Sequence, residues 1–295
     1  KVMYLNASDR LRYTPAANTN GTDIADLNFR AVDATFPNTA SGTQVNANNI
    51  IGGSGALSGQ PGHFTVSVSA VNDAPVVTTS TTARSYTENA TAVIANNDLT
   101  LTDVDSANLT GATVQITSGL TTGDTLAFTA ANGITGAYDS ATGKLTLSGS
   151  ATVVQYQTAL QSVTYVSSSD NPTGTSASRT LTWQVNDGAT ANNLSSSKTS
   201  TIDVTPLNDR PTFTSASAIA RTGTEDTALS FVISDALAGE VSDVDPNASV
   251  KGIAINWNQS ASTEGTWEWS SNGTTWTALP SDISTNNTAN ALYLN

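Results

Sequence analysis

Cysteine is absent from the 295 residues, and histidine occurs once, at His63. Without thiols there are no disulfides to staple a small core and no thiolate zinc centre. A single imidazole argues against histidine metal sites and histidine-based triads. Cations are scarce: 11 Lys and Arg stand against 24 Asp and Glu, giving a net charge of −13 and a pI near 4.1. That balance argues against nucleic acid and anionic membrane surfaces as partners, since both need clustered Lys and Arg. No run of 18 apolar residues occurs, so no segment reads as a membrane-spanning helix. Amphipathic helical windows are missing too, apart from a short turn at 152–160.

What remains is rich in Thr, Ser, Ala, Asn and Gly, with 38% hydrophobic and only 12% charged residues. Thr and Val suit a pleated surface, and Gly, Asn and Asp suit turns, so the composition is all-β. The length allows two domains and part of a third, at roughly 100–150 residues each. Most of the acids read as solvated scatter. Where they cluster, divalent cations are the sharper reading.

Two joints organise the chain. Thr205-Pro206-Leu207-Asn208-Asp209-Arg210-Pro211 has a near-twin in Ala70-Val71-Asn72-Asp73-Ala74-Pro75. Each follows alternating apolar and polar residues, as a half-buried strand does. The proline then withholds a donor and keeps the preceding residue out of the helical region, so the strand ends. An amide and a carboxylate, both hard oxygen ligands, sit in between.

The joints divide the chain into three segments. Residues 76–211 read as a complete β-sandwich, with strands expected near 83–87, 93–101, 111–117, 125–130, 134–138, 144–148, 160–166, 179–186 and 198–205. A hairpin turn at 138–144 uses Gly143 for positive φ. Residues 1–75 hold too few strands for a closed sandwich and read as a C-terminal half, because 27–33 parallels 181–187. Residues 212–295 read as an N-terminal half: 224–229 parallels 87–92, and 241–246 parallels 101–106. Leu292-Tyr293-Leu294-Asn295 also matches Met3-Tyr4-Leu5-Asn6. The chain thus looks like one period of a two-domain tandem array, cut in mid-domain.

These residues resemble cadherin repeats. Asp103-Val104-Asp105-Ser106-Ala107-Asn108 is similar to their Asp-x-Asp-Ser-Gly-x-Asn segment. Gln184-Val185-Asn186-Asp187-Gly188 is similar to their Ala-x-Asp-x-Gly strand end, and 206–211 to their Asp-x-Asn-Asp-Asn-x-Pro linker. The closer resemblance is to bacterial cadherin-like, Ig-like β-sandwich repeats of giant secreted or surface proteins, for which 265–276 and 11–18 are familiar strings. The resemblance implies tandem sandwiches and calcium at the joints. Carried over, Asn72, Asp73, Asp103, Asp105 and Asp187 would serve the first joint. Glu88, Asn208, Asp209, Asp243 and Asp245 would serve the second. Calcium takes about six to eight oxygens, mixing carboxylates with carbonyls. The linker's first acid is Ala70 or Pro206 here, and its last Asn is Ala74 or Arg210. Fewer ligands favour one ion per joint. Arg210 is an alternative partner for Asp243 or Asp245, and Asx turns are the alternative use of Asp103 and Asp105.

Trp257, Trp267, Trp269 and Trp276 crowd the last segment. They are expected in a core, with a platform for surface glycans as the rival role. Glu264 and Glu268 lie four apart on a strand, which is not a catalytic spacing. Asn-x-Ser/Thr triplets such as 89–91 are expected by chance in this composition. The expected function is therefore structural rather than enzymatic. The module would be secreted or displayed at the cell surface, calcium-stiffened, and partnered by copies of itself or by neighbouring repeats.

Overall fold

The computed structural model describes residues 1–36, 39–46, 54–214, 219–246, 248–258, 260–261, 263–279 and 292–294. The protein is all-β. Its buried hydrophobic cluster is drawn from residues between Val77 and Val204.

The first segment carries β1 (Val2–Met3), β2 (Gly21–Phe29), β3 (Gln44–Val45) and β4 (Gly62–Val68). Then come β5 (Val76–Thr78), β6 (Arg84–Thr87), β7 (Val93–Ile94), β8 (Thr100–Thr102), β9 (Asn108–Ser118), β10 (Asp124–Ala127), β11 (Thr135–Asp139) and β12 (Lys144–Thr152). The helix α1 (Val153–Gln161), β13 (Thr164–Ser167), β14 (Ser178–Asn186) and β15 (Lys198–Thr205) complete the middle segment. The last segment carries β16 (Thr212–Phe213), α2 (Ile233–Leu237), β17 (Val241–Ser242), β18 (Ile253–Ile255), β19 (Glu268–Trp269), β20 (Thr277–Ala278) and β21 (Leu292–Leu294).

The middle segment is built around β14. Its two-residue period sends Arg179, Leu181, Trp183 and Val185 inward, with half-buried polar residues between them. β9 and β15 flank it in a six-stranded sheet of order β11-β12-β9-β14-β15-β6. All its pairings are antiparallel except β15 with β6. Separate sheets of order β10-β13-β7 and β5-β8 supply further core residues. Tyr86 and Tyr165 meet edge to face at 5.1 Å and 86°, and the Trp183 indole donates to Ser200 Oγ at 2.8 Å.

The turn expected at 152–160 is a full helix. Thr152 caps α1 reciprocally with Gln155, each side chain accepting the other's backbone N–H. Tyr156, Ala159 and Leu160 face the core. Gln157 accepts the Leu101 N–H and Gln161 donates to the Leu99 carbonyl, so the helix satisfies polar groups along β8. Gly143 has the positive φ expected of the hairpin turn, +66°. Gly149 (φ +126°) sits at the β12 bulge, where a Cβ would stand 2.3 Å from the Gly133 carbonyl oxygen. The strand expected over 93–101 is instead two short ones. Asn96 Oδ1 accepts the Asp98 N–H between them, an Asx turn that breaks the run.

Inside this shell lies an ion pair that the alternation pattern alone does not announce. Arg179 Nε donates to Asp124 Oδ2 at 2.6 Å, and both side chains are fully buried. Tyr165 donates its hydroxyl to Asp124 Oδ1 at 2.7 Å. Burial, together with that carboxylate, pushes the tyrosine pKa upward. The other guanidinium nitrogens donate to the carbonyls of Pro172 and Ser176. The pair therefore grips the loop between β13 and β14. Removing one member strands a buried charge, so Asp124→Ala is expected to lower stability by about 3–5 kcal/mol in denaturant melts.

Some strand pairings in the flanking segments match pairings within this unit. Across β2–β4, Ala25, Leu27 and Phe29 face Val66, Phe64 and Gly62. Across β14–β15, Arg179, Leu181 and Trp183 face Ile202, Ser200 and Lys198, the same register. Beyond each hairpin the Ala31 and Val185 carbonyls accept the Ser58 and Ser195 N–H groups, and the two serine hydroxyls accept the Ala31 and Val185 N–H groups in return. β16–β17 likewise pairs Thr212 with Ser242 as β5–β8 pairs Val76 with Thr102. The Trp residues depart from expectation. Trp257, Trp267, Trp269 and Trp276 are 51, 51, 37 and 44% exposed, because β18 to β20 lie in two-stranded ribbons that, among the described residues, have no opposing sheet over them.

Candidate metal centres at the two joints

Where each β-strand run ends, its Asn-Asp pair turns back onto an Asp-x-Asp loop. At the first joint the Asp73 N–H donates to Asp105 Oδ2 at 3.1 Å, and the Asp105 N–H donates to Asp103 Oδ1 at 3.2 Å. At the second, the Asp209 N–H donates to Asp245 Oδ2 at 2.8 Å, and the Asp245 N–H donates to Asp243 Oδ1 at 3.1 Å. Asn72 and Asn208 each donate to the carbonyl of the following aspartate. The same geometry therefore occurs twice.

Other elements close each joint. Asp187, at the end of β14, accepts from Asn72 Nδ2 at 2.8 Å, while the Asn192 amide donates to the Asn72 carbonyl. All five first-joint residues named from the sequence thus fall in one hydrogen-bonded chain. At the second joint Glu88 follows β6, which runs parallel to β15. Its Oε2 accepts the Leu207 N–H at 2.7 Å. Asn89, next to it, has φ +61°, and Asp226, at the matching place in the third segment, has φ +59°.

The two alternatives raised by the sequence resolve differently. The Asx turn is present: Asp103 Oδ1 accepts from both Asp105 and Ser106. It uses only one oxygen, and Asp103 Oδ2 is buried with no partner. The ion pair of Arg210 with Asp243 or Asp245 does not occur among the described residues.

Glu88 is 2% exposed, yet its Oε1 has no hydrogen-bond partner, and neither does the buried Asp209 Oδ2. Burial pushes the Glu88 pKa upward, and Asp209, Asp245 and Asp170 add repulsion. Asp209 is raised by burial and by Asp170, Asp245 and Asp243, and Asp103 by burial and Asp105. Among the described residues, no three of these acids are gathered at metal-ligating distances. The donor set is all oxygen, the kind a hard cation takes.

Asp170 was not anticipated. It lies five residues after Tyr165, on the loop that Arg179 grips. Asn18 lies five residues after Tyr13 and, with Asp73 and Asp103, lines a hollow at the first joint. That shared spacing was the available signal, hidden because one position is an amide and the other an acid.

No family model matches the chain. Over 171 residues, 56% of this chain, it is 32% identical to halomucin of Haloquadratum walsbyi, and the match spans 2% of that protein.

For a carboxyl raised in the folded state, the protonated form is favoured by folding. Its contribution is full below the unfolded pKa and is lost as pH rises through the folded one. In chelator, the joints are therefore expected to be firmer at mildly acidic than at neutral pH. Glu88→Gln should flatten that dependence in thermal melts, because it removes one titrating group.

Proposed function

We propose that this chain is a structural module of a long extracellular or surface protein, with calcium held at each joint between successive β-sandwiches and the modules joined head to tail. The observation that carries this reading is the pair of matching joints, which leave buried carboxylate oxygens without a donor, Asp103 Oδ2 at the first and Glu88 Oε1 and Asp209 Oδ2 at the second. Such oxygens repel one another and await a cation. Glu88, Asp170, Asn208, Asp209, Asp243 and Asp245 would hold it at the second joint. Asn72, Asp73, Asp103, Asp105 and Asp187 would hold it at the first. When bound, calcium would neutralise the crowded acids and stiffen the seam. Among the described residues no helix is long and apolar enough to cross a membrane. The likeness to halomucin supports an extracellular setting. The role is mechanical rather than enzymatic.

Calorimetric titration is expected to give heat on adding calcium, together with a rise in melting temperature that chelator reverses. Glu88→Gln and Asp209→Asn should weaken binding at the second joint by roughly tenfold or more. No heat and no melting shift would overturn the reading.

The exposed tryptophans favour one second reading, a glycan-binding adhesin module that stacks sugar faces on Trp257, Trp267, Trp269 and Trp276. A glycan array probed with the chain should then show binding that Trp267→Ala abolishes. An array with no binding leaves the structural role alone.

A further inference from the structure

The flanking segments carry exposed apolar rows that complement each other. Leu27 and Phe29 on β2 are 50 and 39% exposed, and Phe64 on β4 is 52% exposed. The Phe29 and Phe64 rings stack at 4.5 Å. By register, Leu27 and Phe29 occupy the places of Leu181 and Trp183, which are fully buried. What completes the sheet beside those is β9, along the other edge of β14. It sets Ile116 opposite Leu181, Val114 opposite Trp183 and Ala112 opposite Val185. Among the described residues β2 has no strand on that edge.

A strand of the missing kind stands in the third segment. β18 pairs with β21 on one edge as β9 pairs with β12, and its other edge is bare among the described residues. Ile253-Ala254-Ile255-Asn256-Trp257 alternates as Ala112-Thr113-Val114-Gln115-Ile116 does. Ile253 follows Asp243 by ten residues, and Ala112 follows Asp103 by nine.

We propose that β18 of a second copy of this chain adds antiparallel to the free edge of β2, with Ile255 opposite Phe29, Ile253 opposite Ala31 and Trp257 opposite Leu27. The inference deepens the head-to-tail order proposed above and does not depend on the calcium. Geometry keeps the β18 of the same chain from reaching that edge. The Asp187 end of β14 faces the first joint, whereas β15 leaves for the second joint from beside the start of β14. The nine residues of β14 separate the joints by roughly 30 Å. The β2 and β18 of one chain therefore flank the middle unit from opposite ends. Main-chain hydrogen bonds would supply the attachment, and the alternate side chains the register. β21 arrives already paired with β18, so β1 keeps its pairing with β3. A heterologous contact of this kind does not close on itself, and copies extend as an open filament.

With no native cysteine, the register can be read by crosslinking. In Phe29→Cys/Ile255→Cys, the opposed thiols should oxidise into a ladder of covalent multimers. The rate should be about 100-fold above that of the mismatched Phe29→Cys/Trp267→Cys, because a formed interface makes the step effectively intramolecular. Unmodified chain should show an average mass in sedimentation that climbs continuously with concentration, and Ile255→Pro should abolish the climb. Equal oxidation of the two cysteine pairs, or a wild-type chain that sediments as a monomer throughout, would overturn the proposal. Both measurements are run in calcium and in chelator. Filaments that persist in chelator support the strand addition even where calcium binding fails. Calcium heat from a chain that stays monomeric overturns the strand addition alone.

Discussion

The strict two-residue period of β14 governs this structure. One inward-facing row runs Arg179, Leu181, Trp183, Val185, and the next residue in phase is Asp187. The apolar middle of that row anchors the sandwich core. Its charged ends do different work: Arg179 fixes the loop that presents Asp170 to one joint, and Asp187 reaches Asn72 at the other. A shift by one residue would turn the row outward and dismantle core and joints together.

At the joints, among the described residues, carboxylates gather with no Lys or Arg side chain paired to them. Backbone N–H groups satisfy one oxygen of Asp103, Asp105, Asp243, Asp245 and Glu88. For Asp103 and Glu88 the second oxygen is shut away unpaired. Burial that raises a carboxyl pKa and neighbours of like sign act in the same direction here, and both would be relieved by a hard cation. The buried pair of Asp124 and Arg179 is the opposite solution, in which the counter-charge is covalently part of the chain.

Much of this was legible from residue order. The Asn-Asp-x-Pro joints, the alternation of 179–186 and the turn at Gly143 all report local backbone demands, which sequence carries directly. The ten joint residues were named from the cadherin resemblance and from the recurrence of their motifs. The Asp124–Arg179 pair was not, because it joins residues 55 apart. An arginine inside an alternating strand looks like an outward residue until its phase with Leu181 is noticed. α1 was read as a mere turn because its buried stripe is only Tyr156, Ala159 and Leu160. The tryptophans were assigned to a core because Trp267 and Trp269 fall on one strand face at i, i+2, where large rings pack inside a sandwich. Whether a large ring is covered depends on a facing sheet, which in the third segment the described residues do not supply.

The parallel pairing of β6 with β15 bears on tension along the molecule. The chain enters the middle unit near Val76 and leaves it beyond Thr205, and the ladder from Ile202–Arg84 to Thr205–Thr87 ties the entering run to the departing one. A pull on both ends slides these two strands lengthwise past each other. Their cross-links then bear the load together instead of opening one at a time, as the teeth of a zipper would.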